Sequence, residues 1–345
     1  MPAMRIPEAQ ALWEPAGVYC NTASYGLPPR PAWEALQAAL ADWHAGRTSW
    51  EHWGQSTEGA RAAFARLVGV AADRVAVGST VSELVGSAVT ALPAGARVVV
   101  PDVEFTSTLF PLLVQERLDV RTVPQAQLAD AVADGADAVA FSAVQMSNGE
   151  VADLSAITAA AASTGAITIC DATQAIGWLP LRAERFDVVA CAAYKWLMSP
   201  RGSAFLAVSE RLLERAVPHS AGWYAGEDVH ASYFGPPLRL AASARRLDVS
   251  PAWFSWVGTQ PALELIEQIG MEAIHAHDLA LANRFRAGIG LEPSDSAIVC
   301  ADLPGAAERL ASAGIVAALR GGRLRTSWHV YNDESDVDRV LDALA

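Results

Sequence analysis

The sequence predicts an α/β protein with a mainly parallel β-sheet flanked by helices, followed by a smaller α+β domain. From about residue 70, short runs rich in valine, alanine and isoleucine alternate with segments long enough to be helices. The runs show no polar alternation, and this pattern is typical of parallel strands that are buried on both faces. Beyond about residue 215 the composition shifts to tryptophan, proline and glycine, which indicates a second unit.

The predicted elements follow in order along the chain. Strands are predicted in six apolar runs of the first unit: RVAVG, RVVVP, DAVAFSAV, AITIC, DVVACAA and SAFLAV. Helices are predicted between several of these runs, over residues 81–92, 106–116 and 153–163. A long helical pattern then runs from Val257 toward Ala287, and the tail carries two strand-like runs and two helices.

This order divides the chain into three predicted regions. Residues 31–235 form a large α/β domain, and residues 236–345 form a small α+β domain. Residues 1–30 are too short to fold alone, so we expect them to pack against the small domain.

Composition and charge exclude several kinds of partner. The net charge of −13 gives a surface that repels phosphate backbones, and no basic run is present, so we expect no nucleic-acid partner. The opening MPAMRIPEAQALWEPAG has no apolar signal-peptide core. The longest uncharged stretch, residues 154–170, is alanine-rich and shorter than the roughly 20 residues of a membrane span. We therefore expect a cytoplasmic protein without a membrane segment.

No metal site is expected. The four cysteines lack the CxxC spacing of zinc sites, and they do not suggest a disulfide framework. His275 and His277 lie two positions apart in a helical pattern, so they point to different faces. The segment NDESDVD lacks the glycine and ligand spacing of a calcium loop, and it is better interpreted as the start of a helix.

A carboxylate and an amine follow two of the predicted buried strands. Asp171 comes directly after AITIC, and Lys195 comes after DVVACAAY. Ligands of parallel α/β sheets collect beyond the carboxyl ends of the strands, so both side chains are expected in one crevice. A buried amine kept neutral is a Schiff-base nucleophile, and pyridoxal phosphate needs such a lysine together with an anion at its pyridine nitrogen. A structural ion pair is the alternative for these two residues alone.

The neighbouring segments carry a more specific resemblance. DATQAIG, the lysine of YKW 24 positions later, and PRGSAFLAV resemble the class V aminotransferase family of fold-type I pyridoxal-phosphate enzymes. VYCNTASYGLPP, GSTVSEL, DVEFTSTLFPL and RLRTSWHVYN are similar to further segments of that family, so the resemblance covers nearly the whole chain. It implies a fold-type I architecture, pyridoxal 5′-phosphate as cofactor and a homodimer.

The resemblance implies roles for five residues around the cofactor ring. Lys195 is implied to bind the cofactor's aldehyde covalently, Asp171 to contact the pyridine nitrogen, and Gln174 to hydrogen-bond the ring hydroxyl. Phe105 falls where many relatives have a stacking histidine, and a phenyl ring can still cover the ring face. Gln145 follows the strand DAVAFSAV and is expected near the ring.

Five further residues are implied to bind phosphate or substrate. Ser79 and Thr80 open a predicted helix, whose N-terminus suits the phosphate, and Tyr194 is a further phosphate candidate. Ser250 is a candidate for a phosphate contact across the dimer, although DVSPAW departs from the family's usual Gly-Thr. Arg325 matches the arginine that binds the substrate α-carboxylate, so an amino-acid substrate is implied.

The implied reaction is β-elimination. YCNTASYGLPPRP and DWHAGRTSWEHWG resemble the C–S lyases of ergothioneine biosynthesis within this family, whose substrate is hercynylcysteine sulfoxide. Pyruvate, ammonia and a sulfenic acid that is reduced to ergothioneine would be the products. Eleven tryptophans allow an aromatic cage for the trimethylammonium group. Other class V activities, namely desulfurase, epimerase or aminotransferase, stay open, as does a non-catalytic pyridoxal-phosphate protein.

Overall fold

A computed structural model describes residues 4–345, and its centre is a seven-stranded β-sheet. The strands are β1 (Val75–Gly78), β2 (Arg97–Pro101), β3 (Asp119–Val123), β4 (Ala138–Ser142), β5 (Ile167–Asp171), β6 (Val188–Ala192) and β7 (Ala204–Val208). Their order across the sheet is β1-β7-β6-β5-β4-β2-β3, and only β7 runs antiparallel to its neighbours. The predicted mainly parallel sheet is therefore confirmed.

Helices cover the sheet and connect its strands. They are α1 (Ile6–Gln10), α2 (Arg30–His44), α3 (Trp50–Val68), α4 (Val81–Ala88), α5 (Thr106–Leu113), α6 (Leu128–Ala133), α7 (Leu154–Thr164), α8 (Glu210–Leu213), α9 (Trp253–Ile269), α10 (Met271–Gly288), α11 (Ala306–Ser312) and α12 (Glu334–Leu344). Capping residues determine where several of these helices begin and end. Asp153 caps the first turn of α7 through the backbone N–H of Ala156, and Gly165 ends this helix in a left-handed conformation. Within residues 4–345, no helix is both long and apolar enough to cross a membrane.

Two element predictions were wrong in detail. The single long helix predicted from Val257 is two helices, α9 and α10, which meet at Gly270 with a φ of 95°. Glycine adopts this conformation without steric strain, so the chain can change direction there. Strand β3 was not predicted, because it lies at the sheet edge and its DVRTV sequence is largely exposed.

A second, antiparallel sheet forms near the carboxyl end. It contains β8 (Ile298–Ala301), β9 (Ala318–Arg320) and β10 (Arg323–Ser327) in the order β8-β10-β9. The N-terminal segment pairs with this sheet, through a bridge between Tyr19 and Val316 and another between Asn21 and Ser327. The domain limits at residues 30 and 235 stay predictions.

Candidate active site

A cavity of about 140 Å³ lies where the carboxyl ends of the parallel strands meet. Ser142, Asp171 and Ala192 are the last residues of β4, β5 and β6, and all three line it. The complete lining is Ser79, Thr80, Val81, Ser82, Phe105, Ser107, Ser142, Met146, Asp171, Thr173, Gln174, Ala192, Tyr194, Lys195 and Arg201. Seven of the ten residues predicted for the site therefore lie around one space.

Lys195 presents a buried amine to this cavity. It is 6% exposed on the turn after β6, and its side chain donates no hydrogen bond to the described residues. Burial lowers its pKa to about 8, Asp171 opposes this change, and the positive charges of Arg325 and Arg320 add to it. Lys195 is also the only lysine in the sequence, because the remaining 24 of the 25 basic residues are arginines. The amine is thus partly neutral near physiological pH.

Asp171 supplies a buried carboxylate beside this amine. It is 5% exposed at the end of β5. One oxygen accepts the backbone N–H of Thr173 at 2.9 Å, and the other accepts the hydroxyl of Thr108 at 3.1 Å. These donors fix the carboxylate in place.

Gln174 and Phe105 lie near Lys195, but Gln145 is turned away from the cavity. The Gln174 amide donates to Ala23 O at 2.9 Å and accepts from the indole of Trp196 at 2.8 Å. The ring centroid of Phe105 lies 5.7 Å from the Lys195 Nζ. Gln145 does not line the cavity and donates to a carboxylate oxygen of Glu104 at 3.0 Å.

Glu104 is a site residue that sequence reasoning missed. Its buried carboxylate accepts hydrogen bonds from the backbone and hydroxyl of Ser142 and from Gln145. Burial raises its pKa, and the nearby negative charge of Asp171 raises it further. The available sequence signal was its position directly before Phe105, after the second buried strand.

The start of α4 forms the opposite end of the cavity. Thr80 caps this helix by accepting the backbone N–H of Glu83 at 3.3 Å. The N–H groups of a first helical turn have no acceptor within the helix, so they suit a phosphate. The backbone N–H of Ser79 donates to the Glu83 carboxylate at 2.9 Å, and the role of Ser79 in phosphate binding stays a prediction.

Arg201 adds a positive charge that sequence reasoning did not assign. It lines the cavity, and its guanidinium carbon lies 5.2 Å from the ring centroid of Tyr194, the third predicted phosphate residue. Ser250 is exposed and is not among the lining residues. Its neighbour Val249 donates to Val77 O, which places Ser250 near the end of β1.

Two arginines meet beside the cavity, and neither has an acidic partner among residues 4–345. Arg325 is 1% exposed, and it donates to the carbonyl of Met146, a lining residue, at 2.8 Å and to the hydroxyl of Ser24 at 2.6 Å. Arg320 donates to the same hydroxyl at 3.0 Å. Burial and Arg320 together lower the pKa of Arg325 to about 10. The Nε of Arg325 is buried without an acceptor among the described residues, so this pair suits an anion.

A buried histidine supports the backbone next to Lys195. His329 and Asp278 are both 0% exposed. The Nε2 of His329 lies 2.9 Å from Trp196 O, and its Nδ1 lies 2.7 Å from an Asp278 oxygen. A carbonyl oxygen only accepts, so Nε2 is the donor in the contact with Trp196 O. The pair therefore ties helix α10 to the residue that follows the lysine.

Replacing His329 by leucine is expected to destabilise the protein by about 3 kcal/mol, because Asp278 would remain buried without its partner. Urea unfolding of the cofactor-free protein measures this change. The control is His275→Leu, since His275 lies on helix α10 as Asp278 does but contacts Trp178 O, and about 1 kcal/mol is expected there. Equal losses in the two variants would contradict a special role for the His329–Asp278 pair.

The chain is similar to several groups of known proteins. Residues 28–302 match the aminotransferase class-V family. The uncharacterized aminotransferase YcbU of Bacillus subtilis is 26% identical over 86% of this chain and 85% of its own length. A kynureninase of Deinococcus radiodurans is 29% identical over 78% of this chain and 70% of its own. A probable cysteine desulfurase of Aeropyrum pernix is 26% identical, with coverages of 95% and 93%.

Solved structures share the fold. The apo cysteine desulfurase of Thermococcus onnurineus superposes with a TM-score of 0.85 at 21% identity, and covers 99% of this chain and 98% of its own. The cystine C–S lyase C-DES gives a TM-score of 0.84 at 20% identity, with coverages of 95% and 97%. This likeness shows a common fold-type I architecture.

The residues around the cavity also fit the cofactor that this family uses. A buried, unpaired amine is present for an aldehyde, a fixed carboxylate for a pyridinium, and a helix start with a nearby arginine for a phosphate. The chain belongs to the class V aminotransferase family, and its cofactor is pyridoxal 5′-phosphate.

Proposed function

We propose that the chain is a C–S lyase that removes a sulfur substituent from the β-carbon of an amino acid. The proposed substrate is hercynylcysteine sulfoxide, and the products are pyruvate, ammonia and a sulfenic acid that a thiol reduces to ergothioneine. The observation that carries the choice of a lyase is that all four cysteines are buried.

Lys195 is the base in this proposal. Bound pyridoxal phosphate supplies an electron sink that makes the proton on the substrate α-carbon acidic. With its pKa lowered to about 8, the Lys195 amine is partly neutral and can take this proton at Nζ. Asp171, held in place by Thr108 and Thr173, would bind the pyridine nitrogen, and Gln174, which lines the same cavity, would bind the ring hydroxyl.

Arg325 binds the substrate α-carboxylate in this proposal. Its guanidinium is buried, and no carboxylate of residues 4–345 lies within 4.0 Å of it, so a substrate anion supplies the missing negative charge. The phosphate is assigned to the start of α4, at Ser79 and Thr80, and to Tyr194. Ser250 is assigned to the phosphate of the partner subunit in a homodimer.

The cysteines favour release of sulfur as a small molecule. A desulfurase that stores sulfur on the protein needs a reactive, accessible thiol. Cys300 is the only cysteine between residues 290 and 330. It is 8% exposed within β8, its thiol donates to Ser147 O at 3.3 Å, and burial raises its pKa. This thiol is therefore poorly suited to carry a persulfide.

Replacing Cys300 by serine is expected to leave the rate of pyruvate formation within about threefold of the wild type, because a hydroxyl can make the same bond to Ser147. The matched control is Cys20→Ser, another buried thiol that donates to a backbone carbonyl. A loss of turnover confined to Cys300→Ser, together with a persulfide on Cys300 found by mass spectrometry of the wild type, would favour a desulfurase.

Aromatic rings near the cavity suit a trimethylammonium group. Phe105 is 37% exposed and Tyr25 is 43% exposed. The Tyr25 ring lies 4.9 Å from that of Tyr194, which lines the cavity. An aromatic face binds a quaternary ammonium with roughly 0.5 to 2 kcal/mol per contact. These rings are our candidates for the hercynyl end of the substrate.

The tryptophan-rich segments offer less space for a cation. Trp50 packs against Trp223 and Trp253 with ring centroids 5.0 and 5.7 Å apart. Trp256 is fully buried against Phe205. Faces that already contact one another cannot enclose a quaternary ammonium, so these rings are assigned to packing.

The relatives favour the wider range of class V activities over this particular substrate. A probable cysteine desulfurase and a kynureninase align over most of the chain, at 26% and 29% identity. A desulfurase-like enzyme that delivers sulfur to a small thiol is therefore the second candidate. Such an enzyme converts cysteine to alanine, whereas β-elimination gives pyruvate.

The test is to incubate the cofactor-loaded protein with hercynylcysteine sulfoxide and dithiothreitol. Ergothioneine and pyruvate in equal amounts are expected, and L-cysteine serves as the comparison substrate. Alanine from L-cysteine without ergothioneine would favour the desulfurase, and conversion of the cofactor to its pyridoxamine form would favour an aminotransferase.

A further inference from the structure

Arg320 and Arg325 form a doubly cationic site that has no ion pair with the described part of the chain. Their guanidinium groups share the Ser24 hydroxyl as an acceptor, at 3.0 and 2.6 Å. No carboxylate among residues 4–345 lies within 4.0 Å of either group. Two like charges held this close repel one another, so the arrangement favours a ligand that brings more than one acceptor.

The α-carboxylate of an amino acid satisfies only part of this site. It carries one negative charge, and Arg325 is the arginine assigned to it. Arg320 donates one hydrogen bond to the carbonyl oxygen of its neighbour Leu319 and one to the Ser24 hydroxyl. Its remaining N–H groups have no acceptor in residues 4–345. A guanidinium has five N–H donors, so Arg320 is free to bind a second oxygen of the substrate.

Arg320 lies beside the arginine that is assigned to the substrate carboxylate. It ends β9, and the turn of Gly321 and Gly322, both with positive φ, leads into β10, which carries Arg325. Its charge is also felt at the Lys195 amine, whose pKa it lowers. Arg325 is fully buried, whereas Arg320 is half-buried. Arg320 can therefore contact a substituent that extends away from the amino and carboxyl groups of the substrate.

We propose that Arg320 binds the oxygen carried by the substrate sulfur, so that the site selects cysteine S-oxides over the corresponding thioethers. This proposal rests on the C–S lyase function and names its substrate class. A sulfoxide oxygen is a strong acceptor with no hydrogen to donate, and it complements a guanidinium. A thioether sulfur accepts hydrogen bonds only weakly.

The same contact assists bond cleavage. Lys195 takes the α-proton. The electron pair of the broken Cα–H bond forms the Cα–Cβ double bond, and the electron pair of the Cβ–S bond leaves with the sulfur. The leaving group is a sulfenate, in which negative charge grows on the oxygen that Arg320 holds. A donor already in place there stabilises the transition state more than the ground state. The sulfenate then takes a proton from water to give the sulfenic acid, so no oxidant or reductant enters this step.

The test compares S-methyl-L-cysteine S-oxide with S-methyl-L-cysteine in the cofactor-loaded protein. For Arg320→Leu we expect kcat/KM for the S-oxide to fall about 30-fold, and that for the thioether to change less than about threefold. Arg320→Lys should recover part of the S-oxide rate, because it restores the charge. Arg320→Gln serves as a second neutral variant if the leucine variant does not fold.

The matched control is Arg323→Leu, which removes the same charge from the same hairpin, where Arg323 donates to Cys300 O. It should leave both substrates within about threefold. An equal loss on both substrates in the Arg320 variants, or no loss on the S-oxide, would overturn the proposal.

A binding measurement separates this proposal from the proposed function. The lyase function fails if the wild type makes no pyruvate from hercynylcysteine sulfoxide, and calorimetric dissociation constants of the two S-methyl compounds then decide the role of Arg320. Tighter binding of the S-oxide in the wild type, lost in Arg320→Leu, supports the contact. An unchanged preference, or no binding of the S-oxide to the wild type, contradicts it.

Discussion

Lys195→Ala is expected to lower the rate of pyruvate formation on the order of 10⁴-fold, because it removes the group that takes the α-proton. No other lysine can replace it, since the sequence contains only this one. The rate is measured with the cofactor-loaded variant, and circular dichroism checks that the fold persists. Added methylamine should restore part of the activity by supplying an external amine.

The control for Lys195→Ala is a conservative change at the same position. Lys195→Arg retains the length and charge but has a guanidinium that stays protonated, so it should be as inactive as the alanine variant. Activity within about tenfold of the wild type in either variant would contradict a catalytic role for this amine.

Asp171→Asn is expected to slow turnover by about 10²- to 10³-fold, because a neutral amide no longer holds the pyridine nitrogen in its charged form. The hydrogen bond from Thr108 to the remaining oxygen can persist, so the fold should change little. Asp137→Asn, a substitution of an exposed carboxylate before β4, is the control and should retain the wild-type rate.

The same variant makes a prediction about pH. The negative charge of Asp171 stabilises protonated Lys195 and raises its pKa against the effect of burial. Removing that charge should therefore lower the pKa of the amine below about 8. In the cofactor-free protein, the pH midpoint of labelling by an amine-specific reagent should move to lower pH. A midpoint that moves upward or stays unchanged would contradict the proximity of the two groups.

The sequence was most informative where side chains are buried for simple reasons. β4, β5 and β6 are buried along their whole length, so their unbroken apolar sequences revealed them. A polar residue at the end of such a strand needs a hydrogen-bond partner or a chemical role, so Asp171 and Lys195 could be identified as site candidates from the sequence. Edge strand β3 escaped prediction because partial exposure gives it a mixed composition.

Site residues that depend on tertiary contacts could not be predicted from local patterns. His329 contacts the carbonyl of Trp196, 133 residues earlier, and Arg320 contacts Ser24, 296 residues earlier. Glu104 becomes notable only because β4 brings Ser142 to its carboxylate. No spacing rule links residues this far apart, since the fold alone sets their distance.

The central claim is that one buried amine, that of Lys195, carries the cofactor. The most direct measurement is reduction of the cofactor-loaded protein with borohydride, followed by digestion and mass spectrometry. The account predicts a pyridoxyl group on the peptide that contains Lys195, and none in Lys195→Ala. A label confined to the N-terminal amine, or an unlabelled Lys195 in fully loaded protein, would contradict it.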